Sequence, residues 1–98
     1  MRVSFHPEAR DEFIAAAEYY DHAVPGLGDR FLVAVRRAIE LAVAHTAAGS
    51  VRRGTARRLL VHGFPYDVVY QVEQDELQVL AVAHQHRKPG YWRERLSG

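Results

Sequence analysis

The sequence predicts an α+β fold, in which a helical hairpin packs on an antiparallel sheet in the order β-α-α-β-β-β. Two observations support this class. Apolar residues recur at spacings of three and four through most of residues 7–45, and the spacing changes to two after Gly54. Helices that precede a run of strands are typical of α+β proteins. The length of 98 residues suits one domain over residues 1–98.

The N-terminal half is predicted to contain a strand and two helices. Residues 3–5 form a short apolar segment, which we expect at a sheet edge. Pro7 suits the first turn of a helix, where its missing N–H is not needed, so the first helix should run from about residue 7 to about 22. Pro25-Gly26-Leu27-Gly28 interrupts the periodicity as a hairpin connection, and the second helix should run from about 27 to about 45. The aromatic residues of the pair are interpreted as core; they are Phe13, Tyr19, Tyr20 and Phe31.

The C-terminal half is predicted to form a three-stranded meander over residues 57–62, 66–73 and 77–84. Gly63-Phe64-Pro65 and Gln74-Asp75-Glu76 are the predicted turns. The third strand is the most apolar, which favours an interior place in the sheet. Strict alternation would put Leu77 and Ala81 on the same face of that strand.

Charge is distributed unevenly along the chain. Residues 1–48 hold five Arg against seven acidic residues, and residues 49–98 hold eight Lys or Arg against five. A basic C-terminal half indicates an acidic partner, either nucleic acid or an acidic peptide. The absence of cysteine excludes disulfides and thiolate metal sites. No apolar run is long enough to span a bilayer and the N-terminus lacks a signal-peptide pattern, so we expect a cytoplasmic protein without a membrane partner, a metal or a cofactor.

Several short motifs together resemble the RelE/ParE toxin superfamily over nearly the whole chain. The motifs are Tyr19-Tyr20, Pro25-Gly26-Leu27-Gly28 with Phe31, Arg57-Arg58, Phe64-Pro65-Tyr66, Val69-Tyr70, the segment 80–84 and the segment 87–92. The resemblance implies a toxin of a type II toxin–antitoxin module. RelE-type members cleave mRNA on the ribosome, ParE-type members are described as poisoning DNA gyrase, and an antitoxin neutralises both by wrapping the toxin with its C-terminal segment. The Phe-Pro-Tyr, Ala-His and Pro-Gly-Tyr-Trp motifs are similar to the ParE-type branch.

The residues keep only part of the RelE-type machinery. Metal-independent RNA cleavage needs a base, an acid and cations that stabilise the charged phosphorane. By resemblance, Arg58 and Tyr91 occupy a basic and a tyrosine position of that machinery. Three other basic positions are occupied by Leu60, Asp67 and Gln85. A different arrangement using Arg57, Arg87 and His84 remains open, so the catalytic candidates for a ribonuclease are Arg58, His84, Arg87 and Tyr91.

Six residues are candidates for partner binding: Arg57, Arg58, His84, Arg87, Tyr91 and Trp92. Adjacent residues of a strand point to opposite faces, so only one of Arg57 and Arg58 can join an exposed patch. Trp92 is expected to anchor the C-terminal segment, with Tyr91 more exposed. His84 is read either as an acid or base or as a structural histidine at the strand end. The spacing of His62, His84 and His86 does not require a metal.

By this resemblance, we expect a ParE-like toxin from a plasmid-stabilisation module. We expect the toxin to inhibit DNA gyrase and to be bound by a cognate antitoxin. The antitoxin is expected across an exposed apolar strip of the sheet or along the helical pair. Two alternatives stay open. One is a RelE-like, ribosome-dependent mRNA endoribonuclease, and the other is an inactive relic that only binds its antitoxin.

Overall fold

A computed structural model describes residues 1–96; Ser97 and Gly98, which the predicted domain includes, lie outside the described residues. The chain forms β1 (Arg2–Phe5), α1 (Pro7–Ala23), α2 (Leu27–Ala44), β2 (Ser50–Arg53), β3 (Ala56–Leu60), β4 (Tyr66–Glu73), β5 (Glu76–His84) and a 3-10 turn (Arg93–Arg95). Both helices and the three meander strands agree closely with the predicted ranges.

The five strands form one sheet in the order β1-β5-β4-β3-β2. β1 lies at one edge and pairs in parallel with β5, while the other neighbouring strands pair antiparallel. The α+β prediction is confirmed, as are the edge position of β1 and the interior position of β5. β2 was not predicted because Val51 is its only apolar residue, which leaves no alternation to detect.

The helical hairpin depends on glycine at its connection. One carboxylate oxygen of Asp21 accepts the backbone N–H of Gly26 at 3.0 Å and that of Gly28 at 3.1 Å. A Cβ atom at Gly28 would lie 2.6 Å from the carbonyl oxygen of Ala17, a distance that real Cβ atoms do not adopt. Glycine at this position therefore allows the start of α2 to approach the end of α1.

Aromatic rings form the core between the helices and the sheet. Phe31 is fully buried, and its ring centroid lies 5.3 Å from Tyr20, 5.1 Å from Phe64 and 5.0 Å from Tyr66. The assignment of Tyr19 to the core is wrong, because its side chain is 68% exposed. A helix turns by about 100° per residue, so the neighbour of an inward-facing Tyr20 points away from the sheet.

A β-bulge in β5 reverses the predicted alternation. Val69 pairs with Ala81 and Tyr70 pairs with Val79, so Leu80 is an extra residue on β5. Ala81 therefore lies on the sheet face remote from the helices, called here the open face, and not on the face of Leu77 as predicted. The bulge gives the open face an apolar surface of small residues, which the C-terminal segment covers.

Candidate functional site

A cleft of about 430 Å³ lies between the open face and residues 85–96, called here the C-terminal strap. We name it the strap cleft. Four cations line it, namely Arg52, Arg58, Arg87 and Lys88, and Asp67 is the one carboxylate among its described lining residues. The cleft is therefore a cationic, half-open groove, suited to an anionic ligand.

A hydrogen-bonded chain of three side chains forms one wall of the strap cleft. A guanidinium nitrogen of Arg58 lies 3.1 Å from one carboxylate oxygen of Asp67, and the Nε2 amide of Gln85 donates to the other at 3.2 Å. Asp67 is only 4% exposed. The charge of Arg58 is thus balanced by a carboxylate held in place from both sides. By the resemblance described above, Asp67 and Gln85 occupy two of the three positions at which RelE-type enzymes have a cation.

Arg57 points to the opposite side of the sheet from Arg58, as predicted for adjacent strand residues. Its guanidinium donates to the carbonyl oxygen of Gly49 at 2.7 Å and to that of Ala47 at 3.3 Å. The hydroxyl of Tyr70 supports the same loop, donating to Thr46 at 3.0 Å. The structure therefore places the guanidinium of Arg57 against the connection between α2 and β2, away from the strap cleft.

Trp92 anchors the strap, as predicted. Its side chain is 5% exposed and packs on the open face with Ala56, Val69, Ala81 and Ala83. The alanines leave room for the indole above the sheet. This contact fixes the strap along the cleft.

Tyr91 is more exposed than Trp92 and lies between two arginines. Its ring centroid is 3.9 Å from the Arg87 guanidinium carbon and 5.2 Å from that of Arg95. Its hydroxyl donates to Glu12 at 2.8 Å. Burial and this hydrogen bond raise the pKa of Tyr91 well above its ordinary value, so the hydroxyl keeps its proton at neutral pH.

An ion pair between Glu12 and Arg95 was missed by sequence reasoning. The Arg95 guanidinium donates to both carboxylate oxygens of Glu12 at 3.0 Å, and to the carbonyl oxygen of Leu80 at 2.9 Å. Glu12 also accepts the backbone N–H of Val82 at 3.1 Å. β1 pairs with β5 only as far as Val79, so these two side chains bond the backbone of β5 where its edge partner has ended.

His84 points away from the chain formed by Arg58, Asp67 and Gln85. It pairs across the strands with Tyr66, and the two ring centroids are 5.1 Å apart on the helix-facing side of the sheet. Its Nδ1 accepts the backbone N–H of His86 at 3.0 Å. All four ribonuclease candidates therefore line the strap cleft, although the His84 ring itself packs against Tyr66.

Among residues 1–96, no cluster of three or more His, Cys, Asp or Glu side chains is arranged to hold a metal ion. No helix within this part of the chain is both long and apolar enough to cross a membrane.

The chain matches a protein-family model and several solved structures. Residues 3–89 match a family model described as the ParE toxin of the type II toxin–antitoxin system parDE. A solved structure described as the chromosomal ParDE toxin–antitoxin system from P. aeruginosa is similar, with a TM-score of 0.65, 21% sequence identity, and coverage of 86% of this chain and 95% of the other. That likeness shows a shared fold. No curated protein sequence matches the chain.

Proposed function

From its membership of the ParE toxin family of type II toxin–antitoxin systems, we propose that this chain is the toxin of such a module, that it inhibits DNA gyrase by binding, and that a cognate antitoxin neutralises it. The proposal also covers the strap cleft, which we assign to the contact with an acidic segment of the antitoxin.

Binding is favoured over RNA cleavage by the three hydrogen-bonded side chains of Arg58, Asp67 and Gln85. Stabilising a phosphorane requires uncompensated cations close to the scissile phosphate. In the strap cleft, a buried carboxylate lies 3.1 Å from the arginine that would serve this role. An anionic phosphate next to Asp67 would be repelled by a group that cannot move away, because Gln85 holds its second oxygen. The hydroxyl of Tyr91 already donates its proton to Glu12 at 2.8 Å, so its hydrogen-bonding partner is a carboxylate of this chain.

The remaining cations of the strap cleft support an acidic peptide as ligand. Arg52, Arg87 and Lys88 line the cleft, and none of them forms an ion pair among the described residues. A peptide carboxylate can approach these side chains from solvent without displacing Asp67. Such complementary charges guide association and fix the register of a partner.

The antitoxin contact is tested by Arg58→Gln. We expect the variant to bind the antitoxin about tenfold more weakly, a loss of ~1.4 kcal/mol, because the cleft loses one cation and Asp67 keeps an uncompensated charge. The affinity is measured by titration calorimetry with the purified product of the small open reading frame adjacent to the gene. Arg2→Gln is the matched control, since it also removes an arginine paired with a carboxylate, at 3.2 Å from Glu76, but at the edge strand β1 and outside the strap cleft. Equal affinities of the wild type and Arg58→Gln would remove Arg58 from the contact.

The neutralisation itself is tested in cells. Inducing the chain alone is expected to stop growth with filamentation and DNA-damage signalling, and co-expression of the adjacent reading frame is expected to restore growth. Growth arrest that persists when the two products form a verified complex would contradict the proposal.

A further inference from the structure

We propose that Glu12 and Arg95 are positioning residues for the strap cleft: they fix the ring of Tyr91, and that ring fixes the guanidinium of Arg87 at the rim. The role of this arrangement in binding rests on the proposed function, because Arg87 is one of the cations proposed to contact an acidic partner. The positioning itself is a property of the free chain.

Glu12 joins three separate parts of the fold. Its carboxylate accepts from the backbone of Val82 on β5, from the hydroxyl of Tyr91 and from the guanidinium of Arg95. The Arg95 side chain is 9% exposed and also bonds the carbonyl oxygen of Leu80, the extra residue of the bulge. The strap is therefore attached to α1 and β5 at a defined point. The family match ends at residue 89, before Tyr91 and Arg95.

Arg87 depends on Tyr91 for its orientation. The residue is exposed, and no ion pair holds its side chain among the described residues. Its guanidinium carbon lies 3.9 Å from the Tyr91 ring centroid, a cation–π contact. A long arginine side chain would otherwise sample many rotamers. Fixing the ring through its hydroxyl therefore also fixes the position of one cation at the cleft.

The test measures the Arg87 side-chain protons by NMR in the free protein. Because protons above an aromatic ring are shifted upfield, we expect upfield-shifted Arg87 signals in the wild type. We expect Glu12→Gln and Tyr91→Phe to move these signals towards the values of a free arginine, since each variant weakens the attachment of the ring. Glu8→Gln is the matched control: Glu8 also contacts Arg95, at 3.3 Å, but its side chain is 66% exposed. The control should leave the Arg87 signals unchanged.

Binding of poly-L-glutamate at low ionic strength is a second measurement. Here a positioning role and simple electrostatics predict changes in affinity of opposite sign for Glu12→Gln. Removing a negative charge should strengthen binding of a polyanion by simple electrostatics, and Glu8→Gln is expected to show that effect or none. The positioning role instead predicts binding about two- to fivefold weaker for Glu12→Gln, which corresponds to the loss of one exposed cation–π contact. Arg95→Lys, which keeps the charge but not the planar fork, should weaken binding less than Arg95→Gln does.

Unchanged Arg87 signals in folded Glu12→Gln and Tyr91→Phe would overturn the inference, as would equal effects of Glu12→Gln and Glu8→Gln or no binding of poly-L-glutamate by the wild type. These results are separable from the proposed function. A chain whose Arg87 signals move as expected, but whose toxicity the adjacent gene product does not relieve, would support the positioning role and contradict the assignment of the antitoxin.

Discussion

Replacing Trp92 by alanine is expected to lower the free energy of unfolding by about 3–5 kcal/mol, the usual cost of truncating a large buried aromatic side chain. The indole is 5% exposed and lies over small residues of the open face, including Ala81 and Ala83. These alanines belong to an interior strand and cannot collapse to fill the space. Domains of this size have roughly 5–15 kcal/mol of stability in total, so the expected loss is a large fraction of it.

Urea unfolding followed by far-UV circular dichroism measures the effect of Trp92→Ala. Tyr19→Ala is the control, because Tyr19 is an exposed aromatic residue on α1. We expect the control to change stability by no more than about 0.5 kcal/mol. A loss below ~1 kcal/mol for Trp92→Ala would show that the strap does not rely on the indole, against the packing described above.

Glu12→Ala is expected to cost about 2–4 kcal/mol, because it leaves several partly buried donors without an acceptor. The guanidinium of Arg95, the backbone N–H of Val82 and the hydroxyl of Tyr91 would all lose their shared partner. Glu8→Ala removes one exposed contact, the ion pair with Arg95 at 3.3 Å, and should lower the free energy of unfolding by roughly 0–1 kcal/mol. Thermal and urea unfolding of the two variants give the comparison.

A double-mutant cycle isolates the pair of Glu12 and Arg95. If they act as one unit, Glu12→Ala combined with Arg95→Ala should cost less than the sum of the two single changes, with a coupling of about 1–3 kcal/mol. Additive costs would mean that the two side chains stabilise the strap independently of each other.

The helices and strands that are defined by local apolar spacing could be predicted from the sequence. α1, α2, β4 and β5 were predicted to within about one residue at each end, since their apolar spacing and their proline or glycine boundaries are local properties. β2 could not be found by alternation. A weaker signal was available, because Gly54 and Thr55 form a two-residue turn between Arg53 and Ala56, a common hairpin loop.

Features that depend on contacts between distant residues were not predictable in the same way. The bulge at Leu80 is set by pairing with β4, and the pair of Glu12 and Arg95 joins residues 83 positions apart. Of the six residues predicted as candidates for partner binding, five line one cleft in the structure, namely Arg58, His84, Arg87, Tyr91 and Trp92. Arg57 instead braces the loop before β2 because strand alternation turns it towards the other face.

We propose that this chain acts by binding gyrase and does not cut RNA. The most direct measurement incubates the purified chain with DNA gyrase and relaxed plasmid, and in parallel with ribosomes translating a defined mRNA. We expect loss of supercoiling with accumulation of gyrase-cleaved plasmid, relief of both effects by the antitoxin, and an intact message. Unaffected gyrase together with cleavage of the translated mRNA would contradict it.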